Sequence, residues 1–280
     1  MNREVGNFLA SFKFANSTKD SYRRILEPLV GLPKLDQMDA AGLIEFINKP
    51  GWGNSQQNVA LFCIQKYFRW RFGDHHPALS ATIPRIEPKP RRVLSEEQAL
   101  SLLASFDTYR SEGARGLAII AFGLDTGFRR AELCSVQLAD VDFWSNTAVA
   151  LCKGNQWGYG AFSPDTAAIL QRWLAFRKPA DGVGNLFVSL KTGKGLTGNG
   201  MECFFKRLSK SIGFPISPHD LRSSHATLAA MFGASDYAGM LGGRWKTSKQ
   251  YHHYIGSLKL NVIRPHLPMA NLTKFRADRA

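Results

Sequence analysis

HHPALSATIPRIEPKPRR, residues 75–92, carries four prolines and a run of cations, and no amphipathic period passes through it. Each proline fixes its own φ and pushes the residue before it out of the helical region. The stretch reads as a linker at residues 83–93. It divides the chain into an N-terminal unit, residues 1–82, and a C-terminal unit, residues 94–280. At 280 residues and 44% hydrophobic content, the chain can bury a sizeable core.

Upstream of the linker the chain reads as short helices. Ser17 or Thr18 can cap a helix through SYRRILEPL, and Asp39 can cap one through AGLIEFI. A longer helix follows Asn54, with Leu61, Ile64 and Phe68 at i, i+3 and i+7 on one face. Downstream, SEEQALSLLASF opens with a capping box of Ser95 and Gln98. RGLAIIAFGLDTG is helical, with Leu117, Ile120 and Leu124 along one side. NTAVALCKGNQWGYGAFS switches to short β-type runs around a Gly-rich turn, a hairpin pattern. TAAILQRWLAF and MECFFKRLSKSI are helical, NLFVSL reads as a strand, and three or four short helices fill the chain to about residue 256. The expected fold is mainly α with a small β-sheet or hairpin.

Lys and Arg number 36 against 22 Asp and Glu, a formal net charge of +14 spread along the chain. A folded protein with that excess is suited to a polyanion, most often nucleic acid, although a merely basic enzyme fits the charge equally well. No apolar run reaches the ~18 residues of a membrane span, and MNREVGNFLASFK does not resemble a secretory signal. Cys63, Cys134, Cys152 and Cys203 lie far apart with no C-x-x-C pair, and read as buried free thiols in a reducing cytoplasm.

Three patterns suggest chemistry and are set aside. Gly193 to Gly198 spell G-x-G-x-x-G, but FPISPHDLR, which follows the next helix, is no buried parallel strand, so a mobile basic loop is expected. Asp140 and Asp142 have no further carboxylates beside them and read as a solvated turn. His75 and His76 lack partners at metal-ligand spacing and read as surface residues.

The cationic motifs remain. In Thr126-Gly127-Phe128-Arg129-Arg130-Ala131-Glu132-Leu133 a glycine ends a buried helix, so Arg129 begins a new element and can project into a cleft. His219-Asp220-Leu221-Arg222 opens the helix HDLRSSHATLAAMF. Leu221, His225, Leu228 and Phe232 form its core stripe, leaving His219 and Arg222 as i, i+3 neighbours on another face. KQYHHYIG, residues 249–256, adds two tyrosines. Two arginines, a histidine and a tyrosine suit transesterification at a phosphodiester. Arginine forks pair with two phosphoryl oxygens and hold their charge, and a phenol makes a reversible nucleophile.

These motifs resemble those of the tyrosine recombinases, the phage integrase, Cre and Xer family. TGFRRAEL is similar to the family's T-G-x-R-x-x-E-L box and HDLRSSHAT to its H-x-L-R-x-x-x-A-T box. LGGRWKTSKQYHHYIGS is similar to its closing segment, in which a His or Trp precedes the nucleophilic tyrosine by nine residues. The resemblance runs from about residue 92 to 258, with a weaker likeness of the N-terminal helices to the family's core-binding domain. Nine residues before Tyr254 stands Trp245; nine before Tyr251 stands Gly242, which has no side chain to offer. Gly243 holds the place after L-G where many relatives carry histidine. Tyr251 and His252 then read as packing or rim residues.

The resemblance implies Tyr254 as nucleophile, Arg129 and Arg222 as phosphate clamps, His219 as acid/base partner and Trp245 beside them, with Glu132 as a buttress. It puts Lys153 in the hairpin, where the family protonates the leaving 5′ oxygen; a plain turn lysine is the alternative. It implies a C-shaped two-domain clamp on duplex DNA, a homotetramer on synapsed sites, and recombination by way of a 3′-phosphotyrosyl link and a Holliday junction. It implies no metal, no other cofactor, no small-molecule substrate and no membrane partner. A cytoplasmic, nucleoid-associated location follows, with no room for the arm-binding domain of larger integrases. From charge and position, Lys19, Arg23, Arg24, Lys66 and Arg69 are the candidate DNA contacts of the first domain. Arg85, Lys89, Arg91 and Arg92 are those of the linker, and Arg244 that of the second domain. The segment after Ser257 is either a docking element for a neighbour or a plain basic tail. A type IB topoisomerase-like nick-and-reseal enzyme and a non-cleaving DNA-binding regulator on the same scaffold stay open as rivals.

Overall fold

The computed structural model describes residues 2–84, 86, 92–152 and 156–255. The chain divides into two compact units, Met1–Pro88 and Lys89–Ala280.

The first unit packs α1 (Arg3–Ala10), α2 (Asn16–Val30), α3 (Ala40–Ile47) and α4 (Asn54–Phe72) around Phe8, Leu26, Leu43, Ile64 and Phe68. Asp39 caps α3, accepting from the Gly42 N–H at 2.8 Å. α2 starts earlier than its hydroxyls suggest. The Ala15 carbonyl takes both the Thr18 and Lys19 N–H groups, and neither Ser17 nor Thr18 caps the helix. Leu61, Ile64 and Phe68 do form the buried stripe of α4, widened by Ala60, Cys63 and Tyr67.

His76 is buried rather than on the surface. Its ring stacks on Phe68 and Phe72, at 4.7 and 4.8 Å between centroids, and its Nε2 lies 3.2 Å from the Asp36 carbonyl oxygen. A short 3₁₀ turn, Pro77–Ser80, folds the chain back over α4, where no local period reveals it. His75 is exposed.

The second unit contains α5 (Glu96–Ala104), α6 (Ser111–Thr126), α7 (Arg130–Ser135), α8 (Pro164–Phe176), α9 (Gly198–Ile212), α10 (Pro218–Met231), α11 (Asp236–Gly243) and α12 (Ser248–Ile255). β1 (Val141–Asp142), β2 (Thr147–Cys152) and β3 (Gln156–Ala161) make one antiparallel sheet in the order β1-β2-β3. Ser95 and Gln98 form the capping box of α5. α6 is the central helix, packed by α8 and α10. Ala118, Ile119, Ile120 and Phe122 are all buried, whereas Leu117 and Leu124 of the expected stripe are only half-buried. With neighbours on several sides, a helix has no single apolar face.

Three further expectations change. NLFVSL is no full strand: Asn185 and Val188 each make one isolated bridge, to Gln137 and Gly195. The Gly193–Gly198 stretch is a pinned turn, not a loose loop. Ser189 donates to the Lys194 carbonyl, Gly193 to Ser189 and Leu196 to Phe187, and Thr197 then caps α9. Of the four thiols only Cys63 is buried; Cys134 and Cys152 are half-buried and Cys203 is exposed.

Asp142 takes the turn role. The Ser145 hydroxyl and the N–H groups of Trp144 and Ser145 donate to it, holding its carboxyl below the usual range. Among the described residues, no helix is long and apolar enough to cross a membrane.

Candidate active site

Gly127 ends α6 in the left-handed region, at φ 58°, and Phe128 plugs the core beside it. The chain therefore leaves the helix abruptly, and Arg129 becomes the residue before α7 with its side chain 46% exposed. Glu132, one turn on, points back. Its carboxylate accepts from the Arg129 backbone N–H and from the Arg129 guanidinium, both at 2.9 Å. Burial alone would raise the Glu132 carboxyl. The Arg129 hydrogen bonds and the charges of Arg244 and Arg129 outweigh it and hold the group below the usual carboxylate range.

The second arginine comes from α10. Ser217 caps this helix through the Asp220 N–H, and Pro218 occupies its first turn. His219 stands exposed in that turn, while Arg222, three residues on, is 1% exposed. The Arg222 guanidinium donates to the carbonyls of Gly127 and Gly243, each at 2.5 Å, and lies 4.6 Å over the Trp245 ring. Burial, then repulsion from Arg129 and Arg244, pushes Arg222 down to about 10, so it stays charged at neutral pH.

α12 completes the arrangement. Tyr251 is fully buried in a small cluster with Ala226 and Trp245, and its hydroxyl has no hydrogen-bond partner among the described residues. Tyr254, one turn later, faces the cations. Its ring centroid is 4.9 Å from Trp245 and 5.9 Å from His219, and its hydroxyl interacts with Arg222. Thr227 of α10 donates to the Tyr254 carbonyl at 3.2 Å, tying the helix down. The structure thus brings Arg129, Glu132, His219, Arg222, Trp245 and Tyr254 together from four parts of the chain. Lys153 lies outside the described residues.

Arg244 is not the freely exposed cation that its charge suggests. Its side chain is 14% exposed and donates to Glu132 at 3.0 Å and to the carbonyls of Thr126 and Tyr159, each at 3.0 Å. It spans the gap from the β3 edge to α7 as a largely covered brace. His225 also does more than fill the core: its Nδ1 lies 2.8 Å from the Leu124 carbonyl oxygen and its ring stacks beside Trp245. Burial pushes its pKa down, so the ring is neutral and Nδ1 carries the proton that it donates. Phe232, placed on the same stripe in sequence, is 71% exposed beyond the helix end.

Arg92 is exposed but spends one N–H on the Pro215 carbonyl, at 2.8 Å. Arg85, Lys89 and Arg91, like the segment after Ser257, lie outside the described residues. In the first unit Arg24 and Arg69 are exposed, and Arg23 pairs with Asp20 at 3.0 Å. Lys19 is half-buried, and the Lys66 ammonium sits 4.3 Å over the Phe12 ring.

Solved structures share this architecture. The Tn1549 transposon integrase in complex with transposon right end DNA superposes with a TM-score of 0.74 at 18% identity, covering 89% of this chain and 94% of that one. A lambda integrase dimer bound to a COC′ core site gives 0.71 at 17% identity, covering 91% and 95%. The fold is that of the tyrosine recombinases. The sequence goes further: the model described as the phage integrase family matches residues 92–256, and the chain belongs to that family. Tyrosine recombinase XerD of Listeria monocytogenes is 26% identical over 257 residues, 87% of this chain and 86% of its own. XerD of Neisseria meningitidis is 25% identical, over 91% and 93%.

Proposed function

We propose that this tyrosine recombinase is a site-specific recombinase acting on double-stranded DNA, with Tyr254 as its nucleophile. One observation carries the reading: a buried, charged guanidinium, Arg222, interacts with the Tyr254 hydroxyl while Trp245 and His219 flank the ring. The Tyr254 oxygen attacks the scissile phosphorus, its proton passing toward His219. The P–O5′ bond breaks and the 5′ oxygen takes a proton, a role that the family motif gives to Lys153. Arg129 and Arg222 stabilise the charge that gathers on the phosphoryl oxygens, so no metal is needed for that step. The 3′-phosphotyrosyl ester keeps the bond energy. A 5′ hydroxyl from a partner strand then reverses the attack and leaves a Holliday junction, which a second round resolves. Exchange of four strands calls for a tetramer.

The test is a nicked suicide duplex carrying the protein's recombination site, from which the short 5′-hydroxyl fragment diffuses away and leaves protein covalently on DNA. Wild type and Tyr251→Phe should give the denaturation-resistant band, in excess chelator as well, and Tyr254→Phe should give none. A band from Tyr254→Phe would exclude Tyr254 as the nucleophile. A strand-exchange assay between two labelled duplexes separates recombination from simple nicking and resealing.

A further inference from the structure

The β2–β3 hairpin presents a face that the phosphoryl chemistry leaves unused. Along β3, Trp157 and Tyr159 alternate with Gly158 and Gly160. The glycines face inward: an added Cβ at Gly158 would collide with Cys152 Sγ, and one at Gly160 with Phe128. The alternate side chains must then point outward, and Trp157 and Tyr159 are 62% and 69% exposed. The register sets Trp157 opposite Leu151 and Tyr159 opposite Val149, so the two rings stand side by side on an apolar ribbon.

The surroundings indicate what covers it. Trp157 and Tyr159 are among the residues that line a cavity of about 740 Å³, with Arg129, Lys246 and Gln250. The Lys246 ammonium reaches the side chain of Gln156, at 3.3 Å, on the face that Gly158 shares, so a cation stands at the start of the same strand. An apolar protein partner would have to desolvate those cations without compensation. Nucleic acid supplies phosphates for the cations and flat apolar base faces for the rings. A paired duplex hides its base faces in the stack, so the ribbon suits bases that have left it. Strand exchange produces such bases, because a freed end must unpair from its complement before it can pair with a new one.

The geometry points to Trp157 and Tyr159 as a stacking platform for unpaired bases beside the phosphate held at Arg129. This rests on the strand-exchange reading above, and the test separates the two. Full-length protein is titrated, with anisotropy as the readout, into two fluorescein-labelled duplexes of one sequence, one fully paired and one with a central unpaired bubble. Wild type should bind the bubble about 10-fold more tightly, the scale of one aromatic–base stack. Trp157→Ala with Tyr159→Ala should bring the ratio near one, and Trp157→Phe with Tyr159→Phe, which keeps both ring faces, should preserve it. Equal binding of both duplexes by wild type overturns the platform and leaves DNA binding standing. So does an unchanged ratio in the alanine pair, or a lost ratio in the phenylalanine pair. Failure to bind either duplex overturns the DNA reading and the platform with it.

Discussion

The Glu132 carboxylate accepts a hydrogen bond from Arg244 at 3.0 Å across 112 residues of sequence, while its other oxygen accepts from Arg129 at 2.9 Å. One buried anion therefore orients a half-exposed arginine and neutralises a largely covered one. Glu132→Gln keeps the shape and removes the charge, leaving Arg244 without a counterion. Breaking such a pair costs about 3 kcal/mol, to be read as a shift in the urea unfolding midpoint. The same pair sets a pH dependence. The folded carboxyl titrates below its ordinary value of 4.5, so its stabilisation is present above that value and is lost as pH falls through the folded one. The Glu132→Gln protein should show a flatter fall in stability across that acid range than wild type.

Gly243 explains why tryptophan, not histidine, stands against Arg222. A Cβ at residue 243 would run into the six-membered ring of Trp245. A side chain at 243 and the tryptophan ring thus exclude each other. Gly243→Ala should destabilise by about 1–3 kcal/mol through overpacking and lower covalent product formation by moving Trp245. Adding Trp245→Ala should make the combined loss of stability smaller than the sum of the two single losses. Strict additivity in thermal melts would show that the two sites do not meet.

Tyr251 buries a hydroxyl that has no hydrogen-bond partner among the described residues. Its pKa is raised by burial and by Asp236, so the group is a neutral phenol that gains nothing from its oxygen. Tyr251→Phe should leave stability unchanged or raise it by up to about 1 kcal/mol, a Tm increase of roughly 2–4 °C. A loss of that size instead would reveal a buried partner for the hydroxyl.

Arg222 donates to two carbonyls, at the C-terminal ends of α6 and α11, and also faces Tyr254. A lysine ammonium is a point charge on a flexible stem and cannot keep that planar fork. Arg222→Lys should fold, bind duplex DNA nearly as wild type does, and form covalent product about 100-fold more slowly. Single-turnover trapping checks this. Weaker binding with an unchanged trapping rate would make Arg222 a structural brace alone.

Local chemistry made much of this molecule legible in its sequence. Asp39, Ser95 and Gln98 each act on an N–H group three residues away, and Gly127 stops α6 through its own φ. Arg129 and Glu132 meet within one turn, and the choice of Tyr254 over Tyr251 rested on the family's nine-residue spacing from Trp245 within one short segment. Elements of this kind carry their instructions within a few residues.

Residues paired across the chain did not. Arg244 looked like a DNA-facing cation because nothing near it in sequence is acidic; its carboxylate arrives from α7 and its carbonyl acceptors from the end of α6 and from β3. His76 looked exposed because its stacking partners lie on α4 and only a backward fold of the chain reaches them. NLFVSL has the composition of a strand, yet strands exist only in pairs, and the structure offers it single bridges. Residue type, period and spacing marked out most of the helices and the hairpin, and the motif resemblance pointed to the candidate chemistry-bearing side chains. Which charges are buried against each other was decided by tertiary structure, because the free energy of a buried ion pair or an aromatic stack depends on the partner that folding brings, not on the neighbour along the chain.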